Sequence, residues 1–85
     1  MNNVILRTIP LSPEFRTLSP KDVEVATIDV TAPPGNQQPV IFAGDDGSEV
    51  AWIPGEYHVL VRVNLGAVRV RGALGDVLTL VGGSW

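Results

Sequence analysis

The chain has 85 residues, 45% apolar and 18% charged, with a formal charge of −3, one histidine and no cysteine. That length fits one small domain, the composition is that of a folding chain, and the charge argues against phosphate-neutralising contact with DNA or RNA. Lacking a disulfide or a thiolate metal site to staple it, a domain this short has a thin stability margin that oligomerisation or docking on a larger surface would widen.

The opening MNNVILRTIP has no basic flank, and its longest aliphatic run is Val4-Ile5-Leu6, so it reads as neither a signal peptide nor an anchor. No apolar run in the chain reaches the length that spans a bilayer, and no membrane contact is expected. Ser12 and Ser19 each precede a proline and suit the cap of a single helical turn. Pro10, Pro13 and Pro20 interrupt any strand ladder, so residues 1–21 are expected to form an extended N-terminal arm. Val4, Ile5, Leu6, Ile9, Leu11 and Phe15 of that arm still need burial, which makes them candidate partner contacts.

From residue 22 the pattern has period two. DVEVATIDV alternates with a shift of phase, and a bulge near Ala26 and Thr27 would bring Val23, Val25, Ile28 and Val30 to one face. TAPPGNQQP is a polar loop. VIFA and EVAWI are strands around AGDDGSEV, and IPGE places Pro54 and Gly55 at the centre of a type II turn. YHVLVRV sets Tyr57, Val59, Val61 and Val63 on one face and His58, Leu60 and Arg62 on the other. If residues 64–67 close a hairpin, Val63 pairs with Val68, Val61 with Val70, and Arg62 stands opposite Arg69. GALGD is a further turn, and VLTLV is apolar on both faces, as in a central or twice-covered strand. The whole predicts an all-β protein: a compact antiparallel β-sandwich or small jelly roll over residues 22–85, preceded by the arm.

The crowding of Asp45, Asp46 and Glu49 beside Gly44 and Gly47 suggests a calcium loop or a carboxylate pair. Asp-Gly between two strands is, however, a strong hairpin signal, and DDGSE lacks the alternate-ligand spacing of an EF-hand. A solvated type I′ turn is favoured over a weak cation site. His58 has no cysteine partner, and each serine lies in a turn or at the end of the chain, so no nucleophile and base are set up. The nine glycines form no phosphate cradle. An enzyme is not expected, nor a cofactor.

Arg62, Arg69 and Arg71 admit two readings: Glu49 or Glu56 reaches over them, or they form a contact face for an acidic partner. Trp52, alternating with Val50, suits the core better than a ligand platform. Trp85 either folds back on its own domain or plugs a neighbour.

The succession PGNQQPVIFAGDDG, then WIPGEYHVLVRVNLGAVRVRGALGDVLTLVGG, resembles small β-sandwich proteins that decorate or cement the capsids of tailed bacteriophages. The resemblance covers residues 33–83 and lies in the order of turns, not in a catalytic signature. It implies a virion structural protein on the capsid exterior, made in the host cytoplasm. Its partners would be major capsid protein and further copies of itself, in an oligomer at shell symmetry axes or junctions with a trimer as the expected copy number. The alternative is a small carbohydrate- or receptor-binding module of a head fibre or tail accessory, using Trp52 and Tyr57 to stack sugar together with the acidic loop.

Overall fold

The computed structural model describes residues 3–84 and the side chains of residues 4–83. Two antiparallel four-stranded sheets face each other. The first runs β1 (Asn3–Pro10), β8 (Val77–Ser84), β3 (Glu24–Thr31), β6 (Tyr57–Asn64), and the second β2 (Arg16–Thr17), β7 (Arg69–Arg71), β4 (Val40–Ala43), β5 (Glu49–Trp52). The chain is the small all-β sandwich that its strand periodicity predicts.

Alternation along each strand decides what lies between the sheets. Ile5 and Ile9 of β1, Leu78 and Leu80 of β8, and Val25, Ile28 and Val30 of β3 meet Val40, Val70 and Trp52 from the opposite layer. Leu11, Leu18 and Leu65 close the ends. The buried carboxylate of Asp76 accepts the backbone N–H groups of Gln37 and Gln38 at 3.0 to 3.1 Å. Asn36 exchanges two hydrogen bonds with the backbone of Val77, at 2.7 and 3.0 Å. Polar side chains thus tie the proline-rich loop to the start of β8, where a sheet ladder is unavailable to it.

The N-terminal segment is not an arm. Residues 3–10 form a full edge strand paired with β8, from Asn3 opposite Ser84 to Pro10 opposite Val77. Pro10 falls at the end of an edge strand, where its missing N–H interrupts nothing, and Pro13 and Pro20 lie in connections. Ile5, Ile9, Leu11 and Leu18 are buried in the chain's own core, so the need for burial that suggested an external surface is met internally.

The expected hairpin of residues 57–71 is also corrected. β6 pairs with β3 and β7 with β4, in different sheets, joined by a 3-10 turn at Leu65–Ala67. Leu65 is fully buried, and the Asn64 side chain accepts hydrogen bonds from the N–H groups of Gly66 and Val23 at 2.9 and 3.1 Å. A loop that inserts its apolar residue into the core carries the chain across the sandwich. Val61 therefore pairs with Thr27 and not Val70, and Arg62 and Arg69 belong to opposite sheets.

The phase shift predicted near Ala26 is present, with Val25, Ile28 and Val30 buried and Val23 packed against the core. Its partner strand shifts at the same place. Val25 pairs with Val63 and Thr27 with Val61, while Arg62 between them adopts φ 53°. Both strands change face together, so the register is kept. Leu60 and Val63 turn inward, and Val61 turns out with Tyr57 and Val59.

Candidate functional site

The acidic loop is a turn. Gly44 N–H donates to Ser48 O at 2.7 Å and Gly47 N–H to Gly44 O at 3.3 Å. Only Gly47 has positive φ, 86°, so Asp45 and Asp46 hold the central positions of an ordinary turn with a left-handed glycine after it, instead of the expected type I′ pair. Hydrogen bonds from the Ser48 backbone N–H, at 2.9 Å, and then its side chain hold the exposed Asp46 carboxyl below its usual range. Among the described residues no three His, Asp or Glu side chains gather as a metal site.

Phe42 stacks on Trp52 with ring centroids 3.9 Å apart, and the His58 ring lies tilted against Trp52 at 4.4 Å. His58 Nε2 lies 2.7 Å from Glu56 Oε2. This hydrogen bond, helped by the Ile53 N–H, holds the Glu56 carboxyl below its usual range. Trp52 is 7% exposed, so it offers a sugar no open face.

Carboxyls lowered on folding, as Asp46 and Glu56 are, stabilise the fold above their unfolded values and lose that contribution as pH falls through the lowered ones. The thermal midpoint, followed by circular dichroism, is therefore expected to fall from about pH 5 to about pH 3. It should fall less steeply in the double variant Asp46→Asn, Glu56→Gln, and parallel curves would refute this assignment.

The three arginines are divided. Arg62 lies on β6, beside Glu24 and Thr27 in a shallow groove at the shared phase shift. Arg69 and Arg71 share the outer face of the second sheet, where their guanidinium carbons lie 5.7 and 5.2 Å from the centroid of Phe15. Arg71 is paired with Glu49 at 2.9 Å, and Arg69 donates to Gly44 O at 3.4 Å. One of the two acids expected to reach over the arginines does so, while Glu56 goes to His58 instead. Phe15 gains a cation–π partner on either hand, a cluster that its distance in sequence from the arginines concealed.

The outer face of the first sheet is more unusual. Val4 and Leu6 of β1, Val81 of β8, and Tyr57, Val59 and Val61 of β6 are each between 56% and 68% exposed. The pairing sets them in rows: Leu6, Val81, Asp29, Val59, and beside it Val4, Gly83, Thr27, Val61. Apolar columns at the two edge strands thus flank a centre of Thr27, Asp29, Thr31 and Thr79, in which Thr31 Oγ1 donates to Asp29 at 3.2 Å. Single exposed apolar residues are ordinary, but six on one sheet face form an apolar patch.

Of the residues expected to touch a partner, Val4, Leu6, Phe15, Arg62 and Arg69 are exposed and Arg71 half-buried. Ile5, Ile9 and Leu11 are core, and Trp85 lies outside the described residues. Tyr57, Val59, Val61 and Val81, which the sequence reading did not single out as contacts, are exposed on the same face. The alternation in YHVLVRV marked an apolar face, but only the pairing of β6 with β3 shows that this face looks outward.

Compared with known family models, with curated proteins and with solved structures, the chain matches none.

Proposed function

We propose that the chain is a non-enzymatic structural subunit that acts by covering and joining protein surfaces: a decoration or cement protein on the exterior of a tailed-bacteriophage capsid, touching major capsid protein and neighbouring copies. The observation that carries this reading is the outer face of the first sheet, where Val4, Leu6, Tyr57, Val59, Val61 and Val81 stand open. A soluble monomer rarely leaves so many apolar side chains together unless something covers them. The turn pattern that resembles the capsid proteins supplies the setting, and Phe15 with Arg69 and Arg71, on the opposite sheet, supplies a second and basic surface. With two faces of different chemistry, one subunit could hold both a neighbour and a shell.

The test is a gradient sedimentation of undecorated phage heads mixed with the purified protein. Saturable co-sedimentation with the heads, together with a higher temperature of head disruption, is the expected result. Protein that stays at the top of the gradient when supplied at about 50 µM, where even a weak specific contact is populated, would overturn the reading.

A further inference from the structure

We infer that the apolar face of the first sheet is a self-association surface, and that two copies stack it face to face about a two-fold axis running parallel to the strands, between β8 and β3. This deepens, and rests on, the reading of that face as a protein-binding surface.

Area comes first. The six exposed side chains together present roughly 700 Å², close to the ~800 Å² that each partner contributes to a standard specific interface. No described residue of the same chain covers the face, whose six side chains are each more than half exposed.

Register then selects the axis. An in-plane axis parallel to the strands brings β1 of one copy over β6 of the other, and β8 over β3. Leu6 then meets the other copy's Val59, Val4 meets Val61, Thr8 meets Tyr57, and Asp29 meets Val81. Each apolar column finds an apolar column, and the two sheets keep the aligned direction of ordinary sheet packing. The other in-plane axis, across the strands, would set each strand over itself and, where it passes through the row of Leu6, Val81, Asp29 and Val59, Asp29 directly against its own copy. Facing carboxylates in a closing interface are unfavourable, so the column of Asp29 disfavours that arrangement. A face that pairs with itself in this way closes at two copies and leaves nothing of itself for a third.

The axis can be tested by charge exchange, because Leu6 and Val59 of one chain lie three strand spacings apart, about 14 Å, too far to pair within it. Sedimentation velocity of the full chain between about 1 and 200 µM is expected to show a reversible dimer. Leu6→Glu and Val59→Lys should each weaken it about 30-fold or more, the loss typical of a central interface residue. An equal mixture of the two single variants should recover association as a mixed dimer, and so should both substitutions in one chain. Asp29→Asn should tighten the pair. Both substituted positions are exposed, and cooperative thermal unfolding of each variant confirms that it is folded.

A monomer throughout the concentration range, a trimer, or a mixture that associates no better than its components would overturn the proposal. The two readings separate cleanly: a monomer that still coats heads removes the dimer and keeps the capsid role, whereas a dimer that ignores heads does the reverse.

Discussion

Removal of residues 1–18 is expected to abolish folding, leaving a chain without a cooperative thermal transition. Ile5, Ile9, Leu11 and Leu18 are all buried, between 1% and 6% exposed. Burying each contributes about 2 kcal/mol, so together they are comparable to the total stability, ~4 to 13 kcal/mol, that a chain of this length ordinarily has. The deletion also strips the β1 partner from the whole of β8, exposing Leu78 and Leu80 and leaving an unprotected apolar edge. Far-ultraviolet circular dichroism during heating, with proton chemical-shift dispersion at room temperature, checks this. A truncated protein with a sharp transition and dispersed amide signals would mean that β1 is a detachable strap after all, and would reinstate the arm expected from the three prolines.

Those prolines show how local sequence reading fails here. Pro10, Pro13 and Pro20 were legible as residues unable to donate to a ladder, but whether that matters depends on whether the strand is an edge, which is a non-local fact. Short-range chemistry was read well for the same reason that long-range pairing was not. Pro54 and Gly55 form the expected turn, with Gly55 at φ 94° and Glu56 N–H on Ile53 O at 3.0 Å, because two adjacent residues determine it. Gly75 at φ 96°, between Ala73 O and Asp76 N–H, is another such case. The phase shift in DVEVATIDV was visible in one strand alone.

Which strand β6 joins is a different kind of question. Val61 opposite Val70 and Val61 opposite Thr27 are both sterically sound, and the choice falls to Leu65, whose burial turns the chain across the sandwich. The candidate surface inherits this ambiguity. In a hairpin with β7, the Tyr57, Val59, Val61 face would have served as core; paired with β3, it is exposed. The same misreading placed Arg62 beside Arg69, although Arg69 and Arg71 were correctly assigned a shared outward face.

Gly82→Ala is expected to cost about 3 kcal/mol or more, at the upper end for overpacking, while Gly35→Ala should change stability by less than about 0.5 kcal/mol. Neither glycine has positive φ, which among the glycines occurs at Gly47, Gly55 and Gly75, so the contrast is one of space and not of backbone freedom. A Cβ on Gly35 meets nothing within 4 Å. A Cβ on Gly82 would lie on the carbonyl oxygen of Thr27, 2.7 Å from Ile28 Cα and 2.8 Å from Ile28 Cδ1. β3 presses against β8 there because its phase shift lies at Ala26 and Thr27, and β8 cannot retreat while Gly82 is also paired with Ile5 on its other side. Relief would require β3 to move and the shift to relax. That same shift turns Val63 inward, out of phase with Tyr57, Val59 and Val61, so a Gly82→Ala chain that folds by relaxing it should disturb the end of the apolar face at Val61 and lose association along with stability. Urea unfolding of both variants, with sedimentation of whatever remains folded, measures the two effects together. A loss below about 1 kcal/mol with association unchanged would show that the close approach of the two strands is not what holds the shift in place.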